Sequence, residues 1–145
     1  MVAKGDAAPD FEALDHAGKP FHFASLRGTP VVLYFYPKAD TPGCTIEGKG
    51  FRDVYADYQA KHVQVVGVSV DDCAAQQAFR QKYGFPFPLI ADKDQKVSRL
   101  YGVLAPGGHA KRVTFLIDAN GTVMETVEGS PDHHLTRAGE VFLGK

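Results

Sequence analysis

The sequence predicts an α/β fold in which helices flank a mixed central sheet. Two uninterrupted apolar runs, VVLYFY (31–36) and VQVVGVSV (63–70), are typical of strands that are buried on both faces. A stretch with helical character follows each run, and this alternation favours parallel strands within one sheet. Near the end of the chain, RVTFLID and TVMETVEG flank an Asn-Gly turn, which predicts an antiparallel hairpin and makes the sheet mixed.

The first half of the chain is predicted to contain a hairpin, a buried strand and a helix. FEALDHAGKPFHF reads as two short strands joined at residues 17–19, so we expect an N-terminal β-hairpin with Gly18 in its turn. The strand 31–36 is stopped by Pro37. From about Thr45 to Lys61, apolar side chains recur near one face, which predicts a helix.

The next segment is predicted to be a strand followed by a helix. After the strand 63–70, Asp71 and Asp72 are candidates for the N-cap of a helix that runs to about Tyr83. Gly84 is expected to end this helix, since glycine favours the position after a helix C-terminus.

The remaining elements complete a thioredoxin-like order. FPFPLIADKD is predicted to be a connection punctuated by prolines, and QKVSRLYGV a short helix. A last helix, from about Pro131 to Phe142, follows the C-terminal hairpin. No repeat or linker interrupts the chain, so we expect one thioredoxin-like domain over residues 1–145.

Composition narrows the range of functions. A net charge of -1, with both signs scattered, offers no basic surface, so neither nucleic acid nor a membrane is expected as a partner. No apolar run has the length of a signal peptide or membrane span, which predicts a cytoplasmic location. Two cysteines are too few for a disulfide scaffold, and the histidines lack a ligand spacing, so we expect no metal.

Cys44 is the first candidate for chemistry. It lies in ADTPGCTIEGKG, between the strand 31–36 and the next predicted helix, and α/β folds place their sites at this edge of the sheet. The free N–H groups and partial positive charge of a helix N-terminus favour a thiolate. Most free cysteines are inert packing residues, but this polar, turn-forming setting, with Pro42 and Gly43 before the cysteine, indicates a reactive one.

YPKADTPGCT resembles the active-site loop of the peroxiredoxins, whose signature is Pro, three residues, Thr, two residues and Cys. Pro37, Thr41 and Cys44 match this signature. FYPKADTPGCTIEGKGFRD is similar to the bacterioferritin-comigratory (Q-type) branch, as are APDF, GVSVD, FPFPLIAD and RVTFLIDANG, so the resemblance covers nearly the whole chain. It implies an enzyme: a peroxidase without metal or flavin cofactor that uses a cysteine thiolate to reduce hydrogen peroxide and organic hydroperoxides.

The resemblance also implies roles for individual residues. Cys44 would attack the terminal peroxide oxygen and become a sulfenic acid. The N–H groups of Gly43 and Cys44, the Thr41 hydroxyl and Arg112 of RVTF, which matches the family pattern Arg-x-Thr/Ser-Phe, would donate to the peroxide oxygens. Pro37 would shield the site from water.

Two other polar features are interpreted without a catalytic role. Glu47 is predicted to favour the helix dipole rather than to orient Arg112. The pair His133 and His134, next to SPD, is predicted to be a solvated helix start rather than a metal site.

Two alternatives are open for the resolving step, in which a second thiol attacks the sulfenic acid on Cys44. Many Q-type enzymes carry a resolving cysteine five residues after the catalytic one, where this chain has Lys49. Cys73, at the start of the next helix, is predicted to form an intramolecular disulfide with Cys44, helped by Gly48 and Gly50, which weaken the Cys44 helix by about 1 kcal/mol each. The alternative is a one-cysteine peroxidase that is resolved by an external thiol.

The resemblance implies recycling by thioredoxin or a similar dithiol protein and favours a monomer. A redox sensor or binding module using the same cysteine is the alternative from another class. A disulfide reductase of the same fold would normally need Cys-x-x-Cys, but position 41 is Thr. A metal-delivery module would need paired cysteines and a histidine in ligand spacing, which the sequence lacks.

Overall fold

The computed structural model describes residues 1–145 and contains a seven-stranded mixed sheet with the strand order β2-β1-β5-β4-β3-β6-β7. The strands are β1 (Glu12–Asp15), β2 (Pro20–His22), β3 (Val31–Phe35), β4 (Gln64–Ser69), β5 (Leu89–Ala91), β6 (Val113–Ile117) and β7 (Val123–Val127). The fold class predicted from the sequence is confirmed, including the N-terminal hairpin of β1 and β2 and the C-terminal hairpin of β6 and β7.

Five helices and one short 3-10 turn, Phe23–Leu26, surround the sheet. The helices are α1 (Pro42–Asp53), α2 (Tyr55–Ala60), α3 (Cys73–Tyr83), α4 (Lys96–Leu100) and α5 (Pro131–Phe142). None of them combines the length and the apolar character that crossing a membrane requires.

Strand β3 lies at the centre of the molecule and sets the geometry of the site. It pairs in parallel with β4, so that Phe35 lies opposite Val68, and antiparallel with β6, so that Phe35 also lies opposite Val113. Every residue of β3 and β6 is buried, as expected for strands covered on both faces. The end of β3, the end of β4 and the start of β6 therefore meet at one edge of the sheet.

The two faces of the sheet carry separate apolar cores. Phe51 of α1, Tyr58 of α2, Phe79 of α3 and Ala138 of α5 belong to the core on one face. Val97 of α4 belongs to the core on the other face. Helices α1, α3 and α5 consequently share a face.

The predicted helix 45–61 is wrong in its start and its continuity. Helix α1 begins at Pro42, which occupies the first helical position that proline favours, with Thr41 extended as the N-cap. The chain leaves helical geometry at Val54 (φ -112°, ψ 9°) and resumes as α2. The apolar pattern continues through this break because Tyr55 and Tyr58 of α2 are also buried, so the pattern did not reveal it.

Strand β5 corrects another prediction, since its residues were expected to be a connection. It pairs in parallel with β4 and antiparallel with β1, and so joins the N-terminal hairpin to the sheet. Three residues flanked by Pro88 and Asp92 are too few to display a strand pattern. The ends of α3, by contrast, match the prediction: Asp72 accepts from the Ala75 N–H at 2.8 Å, and Gly84 adopts φ 67°.

Candidate active site

Cys44 occupies the first turn of α1, as its third residue, and is only 1% exposed. The first hydrogen bond of this turn runs from the Thr45 N–H to the Thr41 carbonyl. The N–H groups of Gly43 and Cys44 precede that bond and have no acceptor within the helix. The sulfur therefore lies at the positive end of a helix, beside two N–H groups that remain free to bind an anion.

Arg112 places its guanidinium between Cys44 and Glu47. It directly precedes β6, and because β6 is antiparallel to β3, this position lies at the edge where β3 ends. Its Nη2 donates to Cys44 Sγ at 3.3 Å, and its Nη1 donates to Glu47 Oε1 at 2.7 Å. The Arg112 side chain is 18% exposed, so its charge acts on the sulfur with little screening.

Gly43 is a close neighbour of the arginine. A Cβ atom at this position would lie 3.0 Å from Arg112 Nη2 and 3.7 Å from its Cζ. The absence of a side chain thus gives Gly43 a steric role, which is to leave room for the guanidinium above the sulfur, in addition to its predicted role as a backbone donor.

Glu47 departs from the sequence prediction. No acidic residue lies in the first turn of α1, and the Glu47 side chain is completely buried against Arg112. Burial raises the pKa of Glu47 to about 7, although the nearby Arg112 charge and hydrogen bond act in the opposite direction. The preference for a helix-dipole role is wrong, since Glu47 holds the arginine.

His134 was missed as a site residue. The prediction of a solvated helix start holds for His133, which is exposed, but His134 is completely buried. Its Nδ1 lies 2.7 Å from Thr114 Oγ1 and 3.5 Å from Glu47 Oε2. The spacing of His134 and Ala138, four residues apart on the buried face of α5, is a signal that could have identified it.

Thr41 has a different hydrogen bond from the one expected. Its hydroxyl donates to the Lys38 carbonyl at 2.7 Å, so its proton is not directed at a peroxide. The Thr41 oxygen keeps lone pairs that can accept a hydrogen bond. Thr41 was predicted to donate to the peroxide, so the direction of that contact is reversed.

Pro37 lies two residues beyond the end of β3 and is half-buried. It borders a cleft of about 350 Å³ whose other lining residues are Lys38, Val70, Asp71 and His109.

Cys73 is the first residue of α3 and is half-buried, and neither cysteine is in a disulfide. Because β3 and β4 are adjacent and parallel, α1 and α3 begin at the same edge of the sheet, as the sequence suggested. The loops before the two helices are joined directly, since the Ala39 N–H donates to Asp71 Oδ2 at 2.8 Å.

Gly48 and Gly50 have a packing role that the sequence did not indicate. A Cβ on Gly48 would lie 2.5 Å from Phe85 Cζ, and one on Gly50 would collide with the side chain of Leu135. These glycines allow a phenylalanine ring and a leucine to pack directly on the backbone of α1.

The chain is similar to known proteins in both sequence and structure. Residues 4–126 match the AhpC/TSA family. A putative peroxiredoxin bcp of Coxiella burnetii is 43% identical over 129 residues, which cover 84% of this chain and 85% of that protein. The crystal structure of peroxidoxin BcpB from Mycobacterium tuberculosis matches with a TM-score of 0.92 and 34% identity, covering 99% of this chain and 98% of that one.

A plant relative is longer than this chain. The chloroplastic peroxiredoxin Q of Oryza sativa subsp. japonica is 38% identical over 138 residues, which cover 92% of this chain. The chain spans 64% of the length of that relative.

Proposed function

This chain belongs to the AhpC/TSA family, as a peroxiredoxin of the Q (bacterioferritin-comigratory) type, and we propose that it is a thiol-dependent peroxidase for hydrogen peroxide and organic hydroperoxides. One observation carries this proposal: the guanidinium of Arg112 lies 3.3 Å from Cys44 Sγ at the N-terminus of α1. A buried sulfur at such a place has the charge and the donors that peroxide reduction requires.

Cys44 is the nucleophile in the proposed reaction. Its thiolate attacks the terminal oxygen of the hydroperoxide, an S–O bond forms and the O–O bond breaks. The electron pair of the broken bond leaves with the alkoxide or hydroxide, which takes up a proton and departs as alcohol or water. The sulfur is left as a sulfenic acid, oxidised by two electrons.

Arg112 and the start of α1 stabilise the developing charge. The guanidinium and the N–H groups of Gly43 and Cys44 surround the place where the two peroxide oxygens would lie. The Thr41 oxygen accepts a hydrogen bond from the O–H of the hydroperoxide, because the Thr41 hydroxyl itself donates to the Lys38 carbonyl. Pro37 limits the access of water to the sulfenic acid.

Cys73 is proposed to resolve the sulfenic acid. Its thiolate attacks the Cys44 sulfur, the S–S bond forms as the S–O bond breaks, and the hydroxide that leaves takes up a proton from solvent to become water. The shared sheet edge, the shared face of α1 and α3 and the partial exposure of Cys73 support this role. Cys44 is buried, so we propose that the first turn of α1 unwinds to bring its sulfur to Cys73, since a disulfide needs Cα atoms within about 7 Å.

The proposed reductant is thioredoxin or a similar dithiol protein, which returns two electrons and two protons to the disulfide. We further propose that the protein works as a monomer in the cytoplasm and uses no metal or flavin. A one-cysteine enzyme and a redox sensor use the same Cys44 chemistry, and they differ from this proposal only in what happens to the sulfenic acid.

A coupled assay tests the proposal, with consumption of hydrogen peroxide followed in the presence of thioredoxin, thioredoxin reductase and NADPH. The wild type should turn over, Cys44→Ser should lose at least 10³-fold in rate, and Cys73→Ser should reduce one equivalent of peroxide without thioredoxin-supported turnover. Full turnover by Cys44→Ser would contradict the peroxidase proposal. Wild-type turnover by Cys73→Ser would make this a one-cysteine enzyme, and stoichiometric oxidation of the wild type without recycling would indicate a sensor.

A further inference from the structure

One oxygen of Glu47 has no hydrogen-bond partner although it is buried. Oε1 accepts from Arg112, but Oε2 makes no hydrogen bond. The nitrogen it faces is His134 Nδ1, 3.5 Å away, and both side chains are fully buried. A buried carboxylate oxygen without a partner is costly, so this pair requires an explanation.

The tautomer of His134 follows from its other contacts. Nε2 lies 3.2 Å from the Gly129 carbonyl, which can only accept, so Nε2 carries the hydrogen. Burial lowers the pKa of His134 to about 4, and the ring is therefore neutral near pH 7. Nδ1 is then an acceptor, and it receives the hydroxyl proton of Thr114 at 2.7 Å.

Two acceptors thus face each other across 3.5 Å, and a proton on Glu47 Oε2 relieves their repulsion. The proton would point at His134 Nδ1, share its lone pair with the Thr114 hydroxyl as a second, longer hydrogen bond, and give the buried oxygen a partner. Burial raises the pKa of Glu47 to about 7, so this proton is exchanged within the neutral range.

The charges around the site link the Glu47 proton to the Cys44 sulfur. Arg112 is the only cation that contacts Glu47, because the other basic side chain next to it, His134, is neutral, and Arg112 also contacts Cys44. Tyr34 of β3 faces the same group, but burial raises its pKa well above the usual range, so its hydroxyl stays neutral. A Cys44 thiolate and a Glu47 carboxylate would therefore share one positive charge.

We propose that Glu47 and His134 form a proton-holding pair that positions Arg112 and sets how much of its charge serves the Cys44 thiolate. With the proton on the pair, Arg112 faces one anion, the thiolate. When this proton is lost, the Glu47 carboxylate competes for the guanidinium. It also repels the thiolate and the negative charge that develops on the peroxide oxygens in the transition state. Glu47 and His134 are positioning residues, since neither touches the peroxide. This inference rests on the peroxidase proposal.

The direct test locates the proton by infrared spectroscopy of the reduced protein, in which a protonated carboxyl has its own C=O band. The wild type should show a buried-carboxyl band below pH 7 that disappears as pH rises, and Glu47→Gln should lack it. His134→Phe should lower the midpoint by about one pH unit, because it removes an acceptor to which the protonated carboxyl can donate and the carboxylate cannot. The exposed neighbour provides the control: His133→Gln should leave the midpoint unchanged.

The kinetic test is the pH dependence of Cys44 oxidation by hydrogen peroxide, measured by stopped flow. The wild-type rate should decline about tenfold on the alkaline side of pH 7, and Glu47→Gln should abolish this decline, because glutamine keeps the acceptor for Arg112 and cannot ionise. An infrared band that Glu47→Gln retains, or an alkaline decline that it retains, would overturn the inference. The infrared result needs no peroxide, so it is readable even if the peroxidase proposal fails.

Discussion

The guanidinium of Arg112 lies 3.3 Å from the sulfur of Cys44, although 67 residues separate them in the chain. The pairing of β3 with β6 brings them together, since it places the start of β6 beside the end of β3. The same guanidinium donates to Glu47 at 2.7 Å. One arginine therefore joins the sulfur to a buried network in which Glu47 faces His134.

The first prediction concerns the forked shape of Arg112. In Arg112→Lys, a single ammonium cannot reach both Cys44 and Glu47 with the same geometry, so we expect Cys44 oxidation by peroxide to slow by about 10²-fold. Stopped-flow measurement of the second-order rate constant checks this. Arg137→Lys, on the half-buried pair with Glu125, is the matched control and should keep the wild-type rate. A wild-type rate in Arg112→Lys would mean that charge alone suffices.

The second prediction separates activity from stability at Gly43. The Cβ of Gly43→Ala would press on the end of the Arg112 side chain at 3.0 Å, which can move away at little cost to folding. We expect the unfolding free energy to stay within about 1 kcal/mol of wild type while the peroxide rate falls about tenfold, because the guanidinium is displaced from the sulfur. Denaturant titration and stopped flow measure the two quantities. Equal rates would show that Arg112 tolerates the displacement.

The third prediction concerns packing at Gly48. In Gly48→Ala the new methyl group meets the Phe85 ring at 2.5 Å, so we expect a loss of about 2 kcal/mol in unfolding free energy despite the better helix propensity of alanine. Gly139→Ala in α5 is the control, since nothing lies within 4 Å of its Cβ, and it should be neutral or stabilising. Stabilisation by Gly48→Ala would instead favour the earlier hypothesis that this glycine serves to loosen the helix.

The fourth prediction follows from the lowered pKa of His134, about 4 in the folded protein. In the unfolded chain the histidine ring takes up a proton near its ordinary pKa of about 6.5. The contribution of His134 to the unfolding free energy is therefore full above pH 6.5 and is lost as pH falls toward 4. Between pH 7 and 5 the wild type should lose about 2 kcal/mol more than His134→Gln. The raised pKa of Glu47 makes the unfolding free energy rise as pH falls, both in the wild type and in His134→Gln, so the comparison of the two proteins isolates His134. Equal losses in urea titrations at the two pH values would contradict a neutral, buried His134.

The sequence predicted the parts of the site that local pattern controls. The apolar, β-rich run 31–36 predicted a buried strand, so the loop after it and Cys44 at the next helix were placed at the sheet edge. The hairpin that carries Arg112 was equally clear from its turn. The role of Arg112 came from resemblance, because spacing alone would have left it as a solvated charge.

The interior of the site could not be predicted, because it depends on contacts between distant segments. A glutamate in a helix is exposed by default, and the burial of Glu47 requires α1, β6 and α5 to meet around it. His134 is hidden for the same reason. Strand β5 was missed because its partners, β1 and β4, define it more than its own three residues do.

The most direct measurement is the intact mass of the reduced protein after one equivalent of hydrogen peroxide, with peptide mapping of the product. We predict the loss of two hydrogens, with the Cys44 and Cys73 peptides linked. Addition of one oxygen to Cys44, with Cys73 free, would retain the nucleophile and remove Cys73 as its resolving partner. Recovery of the Cys44 peptide unmodified, with the oxidation elsewhere, would contradict the proposal that Cys44 reacts with peroxide.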